Sequence, residues 1–148
     1  MKIQQLSIFI ENEPGHLLAP CKALADAGVN ILTLSLSDTR EYGIVHFIVD
    51  DWQRAKQVLE QSGLVVNVAE VVALEVDDKP GGLARMLAII GEGGLNIEYM
   101  YAFTFGCNKK AVLVFRFEDP ALAVEHLTKS GINLFGASEL SALCRGDA

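Results

Sequence analysis

Positive charge and cysteine are scarce in this 148-residue sequence, and long apolar runs are missing. Twelve Lys+Arg stand against nineteen Asp+Glu, for a formal net charge of -7. No basic run exceeds Lys109-Lys110, so no nucleic acid partner is expected, because phosphate binding needs a positive face. The apolar runs are only a few residues long, well short of the ~18 that cross a bilayer, so no membrane partner is expected either. Met1-Lys2-Ile3-Gln4-Gln5 runs directly into alternating sequence, which reads as a chain without a signal peptide. Cys21, Cys107 and Cys144 are odd in number and form no C-x-x-C pair; this excludes a disulfide framework and fits a cytoplasmic protein. His46 and His126 stand apart from cysteine and from each other, so neither a metal nor any other cofactor is expected. G-x-x-x-x-G-K and G-x-S-x-G are absent; with no nucleophile–base pair to replace them, the chain reads as no enzyme.

What the sequence does contain is itself, twice. Glu11-Asn12-Glu13-Pro14-Gly15-His16-Leu17 lies over Asp77-Asp78-Lys79-Pro80-Gly81-Gly82-Leu83 at an offset of 66. The same offset carries Gly28-Val29-Asn30-Ile31 onto Gly94-Leu95-Asn96-Ile97. After a two-residue insertion near Cys107-Asn108 the offset is 68, and Asp51, Ala55, Leu59 and Ser62-Gly63 meet Asp119, Ala123, Leu127 and Ser130-Gly131. Two modules are expected, over residues 1–68 and 69–138, with a tail over 139–148.

Each module reads strand, helix, strand, strand, helix, strand. Leu6, Ile8 and Ile10 alternate with Gln5, Ser7 and Phe9, the period of a half-buried strand. Pro14 is expected to open a helix carrying Leu17, Leu18, Cys21, Leu24 and Ala25 inward, with Leu83, Leu87 and Ile90 as counterparts. Strands are expected at about 31–38 and 44–50, and a helix over 52–61. This order predicts an α+β fold, two ferredoxin-like βαββαβ modules in tandem, each an antiparallel sheet with both helices on one face. The third strand is apolar on both sides: Val45, Phe47 and Val49 alternate with Ile44, His46 and Ile48. A solvated face would be polar, so the back of the sheet is expected to be covered, by the other module or by a second chain in a homodimer.

Two positions carry polarity in both copies. The turns around Pro14-Gly15 and Pro80-Gly81 offer backbone N–H groups that attract a carboxylate. Asn30 and Asn96 each follow the helix and open the second strand; an amide both donates and accepts, which suits a zwitterion. In a βαββαβ module the two places are expected to come together at one end, at the interface between modules. The pattern [D/N]-x-P-G-x-L, helix, G-x-N-I, strand resembles the ACT domain, the small-molecule sensor attached to many amino-acid metabolic enzymes. Copy one is similar to the serine-sensing ACT module of phosphoglycerate dehydrogenase, and the resemblance implies effector contacts at Asn12 and Asn30. A histidine of that site falls at Ile10 here, so the resemblance does not carry the effector's identity. Copy two has Asp78 in place of Asn12, which favours an ammonium. An arginine in the first turn, the mark of acylphosphatases of this fold class, is missing from both copies.

The resemblance thus implies a free amino acid bound by Asn12, Pro14, Gly15, His16, Leu17, Asn30 and Ile31 in one copy. In the other it implies Asp78, Pro80, Gly81, Gly82, Leu83, Asn96, Ile97, Glu98 and Tyr99. Glu98 falls where copy one has Leu32, and a ligand ammonium would explain that exchange. The function expected is that of an amino-acid-binding regulatory protein. Its alternatives are a regulatory subunit of a separate metabolic enzyme, in the manner of the acetolactate synthase small subunit, and a ligand-free structural oligomer.

Overall fold

A computed structural model of the chain describes residues 1–38, 41–103 and 110–145, with the side chain of Asp38 excepted. The insertion near Cys107-Asn108 lies outside the described residues. The chain divides into two compact units, Gln4–Ala69 and Met1–Ile3 with Glu70–Ala148, called the first and the second unit below. Among the described residues no helix is long and apolar enough to cross a membrane.

The first unit contains β1 (Ile3–Glu11), α1 (Leu18–Asp26), β2 (Ile31–Asp38), β3 (Tyr42–Val49), α2 (Trp52–Gln61) and the beginning of β4 (Val66–Asp77). β3 pairs antiparallel with both β1 and β2, so that Phe47 faces Leu6 on one side and Leu34 on the other, and Val45 faces Ile8 and Leu36. Leu6, Ile8, Val45 and Phe47 share one core with Leu24 of α1 and with Ala55 and Leu59 of α2. Both helices therefore cover the same face, as the alternation predicts.

The second unit repeats the plan with the rest of β4, then α3 (Gly82–Glu92), β5 (Ile97–Ala102), β6 (Lys110–Phe117), α4 (Pro120–Lys129) and β7 (Leu134–Phe135). Its strands run in the order β5-β6-β4-β7, all antiparallel. The N-caps repeat as well. Asp51 Oδ1 accepts from the Arg54 N–H at 3.1 Å and Asp119 Oδ1 from the Leu122 N–H at 3.0 Å, each satisfying a first-turn donor that the helix cannot. The tail forms a further helix, α5 (Ala137–Arg145), with Leu140 fully buried.

Two expectations change. Pro14 and Pro80 do not open helices; they open turns. The His16 N–H donates to Glu13 O at 3.3 Å and the Gly82 N–H to Lys79 O at 3.0 Å. Gly15 and Gly81 both take φ of 87°, the positive value that the third position of a type II turn demands. Proline presets the second position of that turn, so Pro-Gly folds back before helix can start. Secondly, the inward faces differ: in α1 Pro20 and Leu24 are buried while Leu18 and Ala25 are exposed, and in α3 Gly82, Met86 and Ile90 are buried while Leu83 and Leu87 are exposed. The delayed start turns α3 so that the four-residue row through Met86 meets the sheet. On the back of each sheet Ile48, in the first unit, and Val112 and Val114, in the second, are buried.

That back face also holds a polar group in the first unit. Ser7 Oγ lies 2.7 Å and Gln5 Nε2 3.1 Å from His46 Nδ1, and Gln5 is fully buried. Burial pushes the His46 imidazole below its usual pKa, because the charged form loses hydration. The folded state therefore binds fewer protons than the unfolded one, and stability is lost as pH falls below the usual histidine value of about 6.5 and through the lower folded value. We expect the urea midpoint to fall between about pH 7 and pH 5, and to fall less in His46→Gln. A second test concerns close approach at the corner. A Cβ on Gly82 would sit 2.0 Å from the Asp77 carbonyl oxygen, whereas one on Gly91 meets nothing within 4 Å. Gly82→Ala should cost about 1–3 kcal/mol in equilibrium unfolding, and Gly91→Ala should add about 0.5–1 kcal/mol.

Candidate functional site

The strand pairing decides where the two repeated polar features lie. The Asn12 N–H donates to Glu41 O at 3.1 Å, just before β3 begins. Asn30 is tied to the other end of that strand: its N–H donates to Asp50 Oδ1 at 3.0 Å, and its carbonyl accepts from the Asp50 N–H at 3.1 Å. Eight residues of β3 separate the ends, roughly 25 Å of extended chain. The second unit does the same. Asp77, beside Asp78, is paired with Lys110 at the start of β6, while the Asn96 carbonyl accepts from the Glu118 N–H at 3.1 Å beyond its end. The expectation that turn and asparagine come together inside one module is thus corrected. Strands that both run antiparallel to a common neighbour run parallel to each other, so the end of the first and the start of the second lie apart.

The individual groups follow from this frame. Asn12, Glu13 and Leu17 border a depression of about 120 Å³ with Leu36 and Gly43 on the neighbouring strands. Asn96 borders a different one, of about 420 Å³, with Phe117, Glu118 and Pro120. Its side chain donates to Glu118 Oε2 at 3.4 Å. Ile31 and Ile97 pack beneath their helices. The N–H of Gly82 is spent inside its turn, which narrows what that corner offers an anion.

Glu98 already has a cation. Its carboxylate lies 3.2 Å from Arg116 Nε, and Arg116 Nη1 donates to Glu70 O at 3.0 Å. Under the repeat offsets Glu98 corresponds to Leu32 and Arg116 to Ile48, so an apolar pair in one copy is an ion pair in the other. Both second strands carry a register shift at this point, between Ile31 and Thr33 and between Ile97 and Tyr99. The paired exchange accounts for Glu98 without a ligand.

His16 sits between Glu13, 3.5 Å from Nε2, and Glu11, 4.0 Å from Nδ1. Their ligand atoms lie within 4.8 Å of one another, so these three could hold a cation, but both carboxylates are exposed and solvated.

Residues outside the expected set, together with Gly82 from within it, form a charged hollow of the second unit. It has a volume of about 240 Å³ and lies between β4, α3, the start of β6 and the turn at Gly131. Lys110 is hydrogen-bonded to Asp77 and lies 3.7 Å from Glu75; Arg85 Nη1 donates to Asp77 Oδ2 at 3.2 Å; Asn133 Nδ2 donates to Glu75 Oε2 at 3.1 Å. The Lys110 hydrogen bond and charge hold the Asp77 carboxyl below its usual range, and Asp77 in turn raises Lys110. The first unit has an equivalent hollow of about 460 Å³, lined by Phe9, Ile10, His16, Ala19, Pro20 and Leu64 among others. A signal for the charged version was present in the repeat: Glu75, Arg85 and Lys110 replace Phe9, Ala19 and Tyr42.

The sequence pattern of the ACT domain pair matches residues 1–144. A Bacteroides thetaiotaomicron protein of known crystal structure is 34% identical over 95% of this chain and 96% of its own, with a TM-score of 0.88. The ligand-free regulatory subunit of aspartate kinase from Thermus thermophilus shares the fold at 19% identity, over 85% of this chain and 91% of its own, with a TM-score of 0.61. The corresponding subunit from Thermus flavus does so at 18%, over 85% and 90%, with a TM-score of 0.59. No curated protein matches the sequence. With all but its last residues matched and both units built on the βαββαβ plan, the chain belongs to the ACT domain pair family.

Proposed function

We propose that this protein is a cytoplasmic regulatory homodimer that binds a free amino acid where the first units of two chains lie side by side along β2. The observation that carries this reading is the separation of Asn12, just past the end of β1, and Asn30, just before β2, to opposite ends of the strands. β2 ends the strand order β2-β3-β1, and its Leu34 and Leu36 are 39% and 46% exposed. An edge strand with exposed leucines invites pairing. A two-fold axis through that edge brings the Asn12 turn of each chain to the Asn30 of its partner, producing two equivalent sites. Each site then combines a Pro-Gly turn, whose amides suit a carboxylate, with a side-chain amide that donates and accepts. Family membership supports the same reading.

Ligand screening tests the function. An amino acid present at a hundred times its dissociation constant should stabilise the chain by roughly 2.7 kcal/mol in thermal unfolding. Asn30→Leu should weaken that binding by about 1–3 kcal/mol, the cost of leaving the ligand's polar group unpaired. A response to none of the twenty amino acids at millimolar concentration would refute the reading. The edge is tested separately. Leu36→Lys should convert the dimer to monomer in sedimentation analysis, because a charge on the edge opposes pairing.

A further inference from the structure

The two equivalent hollows have parted in chemistry, and among the described residues Lys and Arg line only that of the second unit. Three cations converge on Asp77: Lys110, Arg85 at 3.2 Å and Lys79 at 3.9 Å. Glu75, 3.7 Å from Lys110, is a second acid, so the lining itself is charge-balanced, Asp77 and Glu75 against Arg85 and Lys110. Arg85 spends one amino group on Asp77, and its exposed guanidinium has further N–H donors for a second acceptor. Beneath it the hollow is hydrocarbon, from Met86, Ile89 and Ile132. In the first unit the positions of Lys110, Arg85 and Lys79 are Tyr42, Ala19 and Glu13, so the arrangement is not a by-product of the fold.

We propose that this hollow, between β4, α3 and the Gly131 turn, is a binding site for a small aliphatic carboxylate. The carboxylate pairs with Arg85 and the short hydrocarbon chain lies on Met86 and Ile132. A guanidinium meets a carboxylate through two parallel hydrogen bonds, and the apolar floor selects a tail over a bare inorganic anion. Such a ligand could be an amino acid or a carboxylic acid without an amino group; the recognising chemistry is the same. The site lies within one unit and does not depend on the paired edge of the preceding section. It occurs once per chain.

A titration of the full-length ¹⁵N-labelled chain followed by amide NMR tests this, with isovalerate, L-leucine and isobutylamine as probes. Isovalerate, L-leucine or both should shift the amides of Gly82, Arg85 and Gly131 with one-site saturation, and isobutylamine should not. The Arg85 side chain is exposed, so Arg85→Gln should retain a dispersed spectrum while binding at least about tenfold more weakly, ~1.4 kcal/mol. Asn30→Leu should leave the titration unchanged. A response to L-leucine alone identifies the ligand as an amino acid; equal responses identify any aliphatic carboxylate. The proposal is overturned if neither carboxylate shifts these amides at millimolar concentration. It is also overturned if Arg85→Gln binds as tightly as the parent, if isobutylamine gives the same shifts, or if Asn30→Leu abolishes them.

Discussion

Antiparallel pairing of one central strand with both neighbours governs the position of every polar group in each unit. β3 and β6 each hold the first and second strands of their unit in the same direction. The corner after the first strand and the asparagine before the second must then occupy opposite ends. Each end is locked by short contacts: Asn12 to Glu41 at one, Asn30 to Asp50 at the other. A ligand that needs both polarities cannot find them inside one unit. Pairing of sheet edges around a two-fold axis, as proposed above, is the simplest geometry that would supply them together.

Much of this was legible in the sequence. The repeat and the strand alternation follow from local rules, and the β2 and α2 boundaries at Ile31–Asp38 and Trp52–Gln61 match the expected ones. What was misjudged depends on more than one element. Pro-Gly satisfies the preference of a helix start and that of a type II turn equally well on paper; the glycine at positive φ decides for the turn. The distance between Asn12 and Asn30 depends on strand direction, which residue spacing does not encode.

Glu98 shows how a repeat should be used. Taken alone, a carboxylate replacing Leu32 suggests a ligand. Taken with Arg116 replacing Ile48, it is one half of a paired exchange whose ends meet at 3.2 Å. A partly exposed pair of this kind adds little stability, but it makes the exchange self-consistent. The hollows illustrate the converse. Glu75, Arg85 and Lys110 change together relative to the first copy and balance in charge with Asp77, yet the exposed Arg85 guanidinium keeps further N–H donors. Correlated differences between copies thus separate structural substitution from newly acquired chemistry.

The tight corner at Gly82 bears on how a duplicated chain folds. Similar segments in one polypeptide can be taken up by the wrong copy, a characteristic hazard of repeats. At the position of Gly82 the other copy has His16, and no side chain fits there without displacing the Asp77 carbonyl. The stretch containing His16 is therefore barred from its sister's place. One missing methyl group acts as an address label, sorting two look-alike segments during folding.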